Sequence, residues 1–485
     1  MRRETTAAQE IGARRETLDA SEARRETRDV RRVSSLSSCD LVSRLTSHAP
    51  TPWPKVKLGK EGGARHETID ASEARHETRD VRRVSSLSSC NLVSRLTSHA
   101  PAPWPKVKLG DVGKVVTGLT PPTKHSEYFG DRFLFVTPSD LRYDSYYIAN
   151  SERKISDDGY TKFSTRFIPA GSVMYTCIAS IGKVGISRSE VLTNQQINSI
   201  VPNVDTDCRF LYYLLRHLTP NIQQQNAGCA VPIINKGDFE SFQIPIPPLP
   251  VQRRIADVLS AYDDLIENNR RRIAILEETA RLTYRKWFGG TEQGRTASLG
   301  EVCQTFGGGT PKTSVPDFWD GDVPWVVPTD ITRNTCLAVL DTERKISEIG
   351  LQKSSAKMLP ANAILMTSRA SVGYFGIADF PVCTNQGFIS IIPNDDSLRW
   401  YLLFNLMSRV EEIRSNAKGS TFPEISRARF RSMDVAIPDD NPLIEFNGVV
   451  EPLMQQVRIL AKQNAALATA RDMLLPRLMK GELIP

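Results

Sequence analysis

The sequence predicts a mixed α/β chain. Two repeated globules are separated by two long helices that pair as an antiparallel coiled coil, a dumbbell with pseudo-twofold symmetry. Three observations carry that reading. Motifs of the first half return in the second at a spacing near 190 residues. Two apolar seams of helical period run through the chain, one central and one C-terminal. Between them lie short apolar runs broken by turn residues, the pattern of strands.

The central seam follows an extended proline run, Ile244 to Pro250, which cannot be helical but hands over well to a helix start. From Val251 no Gly or Pro appears until Gly289, a stop signal. Leu259, Tyr262, Ile266, Asn269, Ile273, Leu276, Ala280, Thr283 and Trp287 recur at alternating spacings of three and four, with charges elsewhere. At about 1.5 Å per residue this seam spans roughly 40 Å, and a lone helix of that kind needs a partner.

The partner is the C-terminal seam of Phe446, Val450, Leu453, Val457, Leu460, Asn464, Leu467, Arg471, Leu474 and Leu478. Run antiparallel, the two seams place Asn269 opposite Asn464. The other layers become Leu259/Leu474, Ile266/Leu467, Ile273/Leu460, Leu276/Val457, Ala280/Leu453 and Trp287/Phe446. Large then meets small and polar meets polar, and a buried Asn pair fixes register at some cost in stability. The plainer alternative is two unrelated amphipathic helices, each packed on its own domain. Pro452 predicts a kink in the second helix or a helix that restarts there.

At 485 residues the chain has room for two to four domains. It shows no apolar run of membrane-spanning length, and its Arg- and Glu-rich start is no signal peptide. Eight cysteines lie singly, which argues for a reducing cytoplasm and against a zinc site. The net charge of +7 is confined to residues 1–110, with 21 Lys+Arg against 14 Asp+Glu, so the remainder is neutral. Bulk charge gives no argument for a nucleic-acid partner.

Residues 1–103 form an N-terminal extension containing a nearly verbatim tandem repeat. Ala13 to Gly59 recurs as Ala64 to Gly110, with Ala13 to Thr17 echoed again at Ala23 to Thr27. Two copies with few aliphatics build no core, so a disordered extension is expected. The alternative is an Arg-rich arm that touches phosphate.

The distant repeat starts at Lys106. Leu109 to Val112 matches Leu299 to Val302, and Gly118-Leu119-Thr120-Pro121 matches Gly308-Gly309-Thr310-Pro311. Val136 to Leu141 matches Val326 to Ile331, Glu152 to Ser156 matches Glu343 to Ser347, and Ala179 to Gly182 matches Ala370 to Gly373. Thr193-Asn194-Gln195 returns as Thr384-Asn385-Gln386. The expected domains are a first globule over 104–250, a spacer helix over 251–289, a second globule over 290–440 and a second spacer helix over 441–485.

Catalytic machinery is hard to find. There is no P-loop, no His-rich cluster and no nucleophile elbow. Asp140, Glu152 and Lys154, repeated as Asp330, Glu343 and Lys345, could hold a magnesium ion for phosphodiester cleavage. Pro-Ser-Asp and Pro-Thr-Asp are equally ordinary turns.

Taken together, two similar globules alternating with two long helices resemble the specificity subunits of type I restriction–modification systems. The matching residues are Pro247 to Ala256 leading into the first helix and Leu282 to Phe288 ending it. Arg471 to Leu478 with Gly481 to Ile484 match at the C-terminus. The likeness covers about Trp104 to Pro485, and the duplicated extension departs from it.

The resemblance implies a non-catalytic reader of double-stranded DNA. Each globule would be a target-recognition domain for one half of a split, asymmetric site, with the helical rod setting the gap. Two methyltransferase subunits carrying S-adenosylmethionine would dock along the rod, and restriction subunits using ATP and Mg would join them, with no membrane involved. The runner-up is a protein-interaction scaffold that binds no DNA.

Residues shared by both globules, such as Thr193/Thr384 and Asn194/Asn385, are expected to serve the fold or phosphate. Polar residues that differ at matched loops are the better candidates for base contact, because Arg and Lys suit guanine edges. They are Arg142 and Tyr143 against Thr332 and Arg333, Lys183 against Tyr374, and Ile178 against Arg369. Lys124, Lys236, Lys312 and Lys418 complete the expected DNA-facing set.

Overall fold

The computed structural model describes residues 104–225, 232–289, 294–419, 423–483 and 485. The extension 1–103, and with it the expectation of disorder, lies outside the described residues. The described residues divide into two compact units, one of 104–106, 245–255 and 477–485, the other of 107–244 and 256–476.

In the first unit, Ile246 N–H donates to the Pro105 carbonyl at 3.0 Å. Buried Gln252 returns its side-chain amide to the Pro247 carbonyl at 2.9 Å, satisfying an acceptor that the proline run leaves open. Gly481, at φ +71°, closes the C-terminal turn, where its N–H donates to Leu478.

The second unit holds both globules. The first is built from β1 (Gly113–Thr117), β2 (Phe129–Gly130), β3 (Phe133–Val136), β4 (Tyr147–Ile148), β5 (Arg153–Ile155), β6 (Val173–Thr176), β7 (Val184–Ser187), β8 (Val191–Thr193) and β9 (Ile197–Pro202), followed by helix α1 (Cys208–Gln225). Its sheets run β1-β9-β6-β7-β4 and β2-β5-β3-β8. After helix α2 (Leu249–Phe288) the second globule repeats the plan. Its strands are β10 (Cys303–Gly307), β11 (Trp319–Val326), β12 (Ala338–Val339), β13 (Arg344–Ile346), β14 (Ile364–Thr367), β15 (Phe375–Ala378), β16 (Cys383–Thr384) and β17 (Phe388–Pro393). They form sheets β10-β17-β14-β15-β12 and β13-β11-β16; the five-stranded order repeats strand for strand, and in the smaller sheet the one long strand β11 stands where the first globule has β2 and β3. Helices α3 (Arg399–Ser408) and α4 (Val410–Ser415) follow, and α5 (Asp440–Met479) ends the chain.

The repeated motifs are the joints of this plan. Gly118 and Gly308 lie where a Cβ would come within 2.1 and 2.0 Å of the Asn194 and Asn385 carbonyls, so the chain passes the Thr-Asn-Gln turn only as glycine. In Glu-Arg-Lys-Ile-Ser, Arg153 stacks on Phe129 and Arg344 on Trp319, at 4.1 and 3.9 Å. The serines cap short helices by accepting from Gly159 N–H and Gly350 N–H, at 3.2 and 3.0 Å.

Helices α2 and α5 pair antiparallel, with Asn269 Nδ2 donating to Asn464 Oδ1 at 3.0 Å. Trp287 and Phe446 meet at 6.4 Å between ring centroids. Ile273, Ala280, Val457 and Leu460 are buried in one core with Leu276 and Leu453 packed against it. Towards the other end Leu259 and Ile266 are buried and Leu467 and Leu474 half-buried. The seam departs from the sequence reading at one layer: Asp263, not Tyr262, is buried, forming an ion pair with Arg471 and accepting from Tyr213 at 2.5 Å. α5 does not restart at Pro452 but runs through it as one helix.

Each globule lies along one half of this rod instead of at its tip. The apolar stretch Phe210–Leu215 of α1 is wholly buried, and Tyr213 and Arg216 reach Asp263 and Asp472. In the second globule Trp400 and Asn405 of α3 reach Glu451 and Tyr284. The reason is chemical: a helix apolar on all sides must be covered on all sides, and the rod supplies the cover.

Candidate DNA-recognition interface

The loops that differ between the globules are framed by residues that do not. Asp140 Oδ2 accepts from the Thr137 N–H at 2.8 Å and its Oδ1 from the Glu152 N–H at 2.8 Å. Asp330 does the same for Val327 and Glu343, at 2.8 and 3.2 Å. These carboxylates clasp the Pro-x-Asp turn to the strand that follows, so their recurrence has a backbone explanation. Among the described residues no cluster of His, Cys, Asp or Glu could hold a metal ion.

The second framed loop is the hairpin between β6 and β7, repeated between β14 and β15. Thr176 and Thr367 donate across it to the Ser180 and Ser371 carbonyls and accept from the Lys183 and Tyr374 N–H groups, at 2.9 and 3.0 Å. At its tip Ala179 and Ala370 hold left-handed φ values of 61° and 60°, uncommon away from glycine and identical in the two copies. Thr193 and Thr384 are buried, and the Asn194 and Asn385 side chains accept from their own turns, at 3.0 and 2.8 Å. Of these shared residues the threonines and Asn194 are buried and Asn385 half-buried, while the alanines at the hairpin tips are exposed.

The family described as "Type I restriction modification DNA specificity domain" matches residues 101–278 and 294–459, most of the chain. The chain belongs to the type I restriction–modification DNA specificity family. It is 27% identical over 410 residues to the specificity subunit of type I restriction enzyme MjaIX of Methanocaldococcus jannaschii, covering 79% of this chain and 94% of that protein. It is 29% identical over 178 residues to that of enzyme HindI of Haemophilus influenzae, covering 35% of this chain and 39% of that one. A solved S subunit from M. genitalium shares 16% identity over 80% of this chain and 98% of its own, at a TM-score of 0.49, too loose to argue from.

For a member of that family, what counts is which loop side chains face solvent. Lys124, Tyr143, Lys236, Lys312, Arg333, Tyr374 and Lys418 are exposed. Lys236 is shared with Glu240 at 3.5 Å and Arg333 lies 3.8 Å from Glu343. Lys183 is half-buried and its ammonium donates to the Pro138 carbonyl at 2.6 Å, with burial and then Arg142 lowering its pKa.

Arg369 forks onto Glu424 through Nε and Nη2 at 3.0 and 2.9 Å. The matched place in the first globule is Ile178 bridged to Ile233. An apolar pair in one copy has become an ion pair in the other, which explains the difference at this position without invoking a base. Arg142, half exposed, lies 3.3 Å from Asp144 and donates to the Arg333 carbonyl at 3.1 Å.

Sequence reasoning missed the acids that hold these bases. Asp144 pairs with Arg270 of α2; burial acts to raise its pKa, but Arg270 and Arg142 bring it below the ordinary range. Glu277 accepts from the Leu337 N–H at 2.6 Å, and burial pushes its pKa up to about 7. Asp263 had a signal, since a lone Arg471 within an apolar seam requires a nearby anion.

Proposed function

We infer that this chain is the DNA-specificity subunit of a type I restriction–modification complex. Each globule reads one half of a split, asymmetric duplex site, and the rod sets the unread gap. The observation that carries this is one strand order used twice on a single rod, with loop residues that differ between copies. Two readers on a fixed spacer bind tightly only where both half-sites lie at the matching distance. The spent carboxylates of Asp140 and Asp330 support a chain that leaves chemistry to others.

Two methyltransferase subunits would hold the S-adenosylmethionine, and restriction subunits the ATP and Mg. The site of action is the cytoplasm, and among the described residues no helix is long and apolar enough to cross a membrane. Selecting bound duplexes from a random library tests the reading. A two-part consensus with an unread gap is expected, with affinity falling steeply as salt rises. A protein scaffold that ignores DNA would enrich nothing and show no such slope.

A further inference from the structure

Most side chains common to the two globules are spent on the fold, but one matched set faces solvent. In each globule three segments meet beside the glycine joint, Gly118 in the first and Gly308 in the second. The turn after the glycine carries Thr120, whose hydroxyl donates to Gln195 Oε1; in the second globule Thr310 donates to Gln386 Oε1. Both glutamines are exposed, and among the described residues their amide N–H groups have no acceptor. The third segment ends in an exposed cation, Arg166 or its match Lys357. Arg166 Nη1 donates to the Thr117 carbonyl at the end of β1, at 3.4 Å, and the Lys357 ammonium lies 5.9 Å from the centre of the Phe306 ring in β10. A Cβ on Gly309 would come within 2.3 Å of the Ala356 nitrogen, so the segment leading to Lys357 is packed on the glycine turn. Among the described residues neither cation is paired with an acid.

This joint lies beside the loops that differ. The Cys177 N–H, at the start of the β6–β7 hairpin, donates to the Gln196 carbonyl at 2.7 Å, and the Ser368 N–H donates to the Gly387 carbonyl at 2.8 Å. We propose that Gln195 with Arg166, and Gln386 with Lys357, grip the phosphate backbone of the duplex, one grip for each half-site. They place the variable loops over the bases without choosing among them. The proposal rests on the DNA reading above. Contacts to bases must differ where the half-sites differ, whereas every nucleotide offers the same phosphate. The change from Arg166 to Lys357 fits a phosphate too, since a point charge serves there and the guanidinium fork is not required. The threonine hydroxyl, by holding Oε1, leaves the amide N–H pair to face outward.

The test measures binding of the full chain to its selected duplex and to a random-sequence duplex of equal length, at several salt concentrations. Arg166→Ala with Lys357→Ala should weaken both duplexes by the same factor and make the slope of log affinity against log salt shallower by about 2, one for each cation. Arg166→Lys should keep the wild-type slope. Gln195→Ala with Gln386→Ala should weaken both duplexes by roughly threefold to tenfold for each globule. Their slope should stay as it was, because a neutral donor releases no counterion. The sequences selected from a random library should be those of the wild type in every variant.

A slope unchanged by the paired cation variant overturns the grip. So does a consensus altered in either half, which would make these residues readers of bases. A glutamine variant that loses affinity only in step with a lowered melting temperature would make the Thr–Gln contact a brace of the fold, and the grip would fall. Intact affinity with lost capture of methyltransferase subunits would give the set to a protein partner instead. A wild-type chain that enriches no duplex sinks the DNA reading and the grip with it. A wild-type chain that selects its two-part site, with every variant binding as tightly, sinks the grip alone.

Discussion

Lengthening the rod should lengthen the gap between half-sites, but only when the added turns go into both helices. Because each globule is clasped to its own half of the rod, extra residues in the connection 289–294 leave both clasps, Tyr213–Asp263 and Asn405–Tyr284, where they are. The informative change duplicates residues 265–271 of α2 together with 462–468 of α5, which face each other around the Asn269–Asn464 pair. Each copy then meets its complement, the seam stays in phase, and Asp144–Arg270 and Lys462–Asp379 survive at their own ends. One heptad adds about 10 Å, or about three base pairs at 3.4 Å each. The groove turns by about 100° over that length, so affinity should fall even as the selected gap grows. Selection from a random library reads the gap, and the bases of each half should stay as they were. If an equal insertion in 289–294 moves the gap as far, the globules are not seated on the rod and the reasoning fails.

Arg471→Met strands Asp263 at 2% exposure and should cost about 3–5 kcal/mol in urea unfolding. Adding Asp263→Leu should recover most of it, whereas an unchanged midpoint for the single variant would show the pair to be hydrated. Glu277, with its pKa raised from the ordinary carboxylate range to about 7, contributes stability that is whole below about pH 4.5 and lost as pH rises through 7. Its half-buried position reduces the full effect, so Glu277→Gln should be about 2 kcal/mol more stable than wild type above pH 7 and equal to it near pH 4. Arg369→Ala frees Glu424 and should leave the selected bases unchanged; a relaxed position would return Arg369 to the readers. Removal of residues 1–103 should leave melting and site preference nearly as they were, and a large loss of specific affinity would make the Arg-rich arm part of the DNA interface.

The rod was legible because its signal is one-dimensional. Ile266, Ile273 and Leu460 announce a buried face by spacing alone, and one Asn in each seam gives the register. The repeated globules were legible because Gly118, Asp140 and Ser156 do backbone work that only those residue types do well. The seating of the globules was not, since nothing local says that Tyr213 finds Asp263 fifty residues on, or Asn405 finds Tyr284 across the chain. The candidate site was the least legible part. Arg369 and Lys183 looked available because Glu424 and the Pro138 carbonyl are distant in sequence. Comparing the copies by pairs instead of single positions would have shown Ile178 with Ile233 changing together into Arg369 with Glu424.

The buried Asp263–Arg471 pair has a consequence for which molecule each helix can recognise. A chain descended from a doubled ancestor has two rod helices alike enough to seek their own kind in a second copy. Were α2 to pair with another α2 about the same midpoint, Asp263 would face Thr279 and Asn269 would face Ile273. Were α5 to pair with another α5, Arg471 would face Leu453 and Asn464 would face Leu460. An α2 pair leaves the buried Asp263 without its cation, a penalty of several kcal/mol, and an α5 pair leaves Arg471 with only its neighbour Asp472. Only α2 on α5 satisfies all four residues, so the chain closes on itself before it can close on its neighbour.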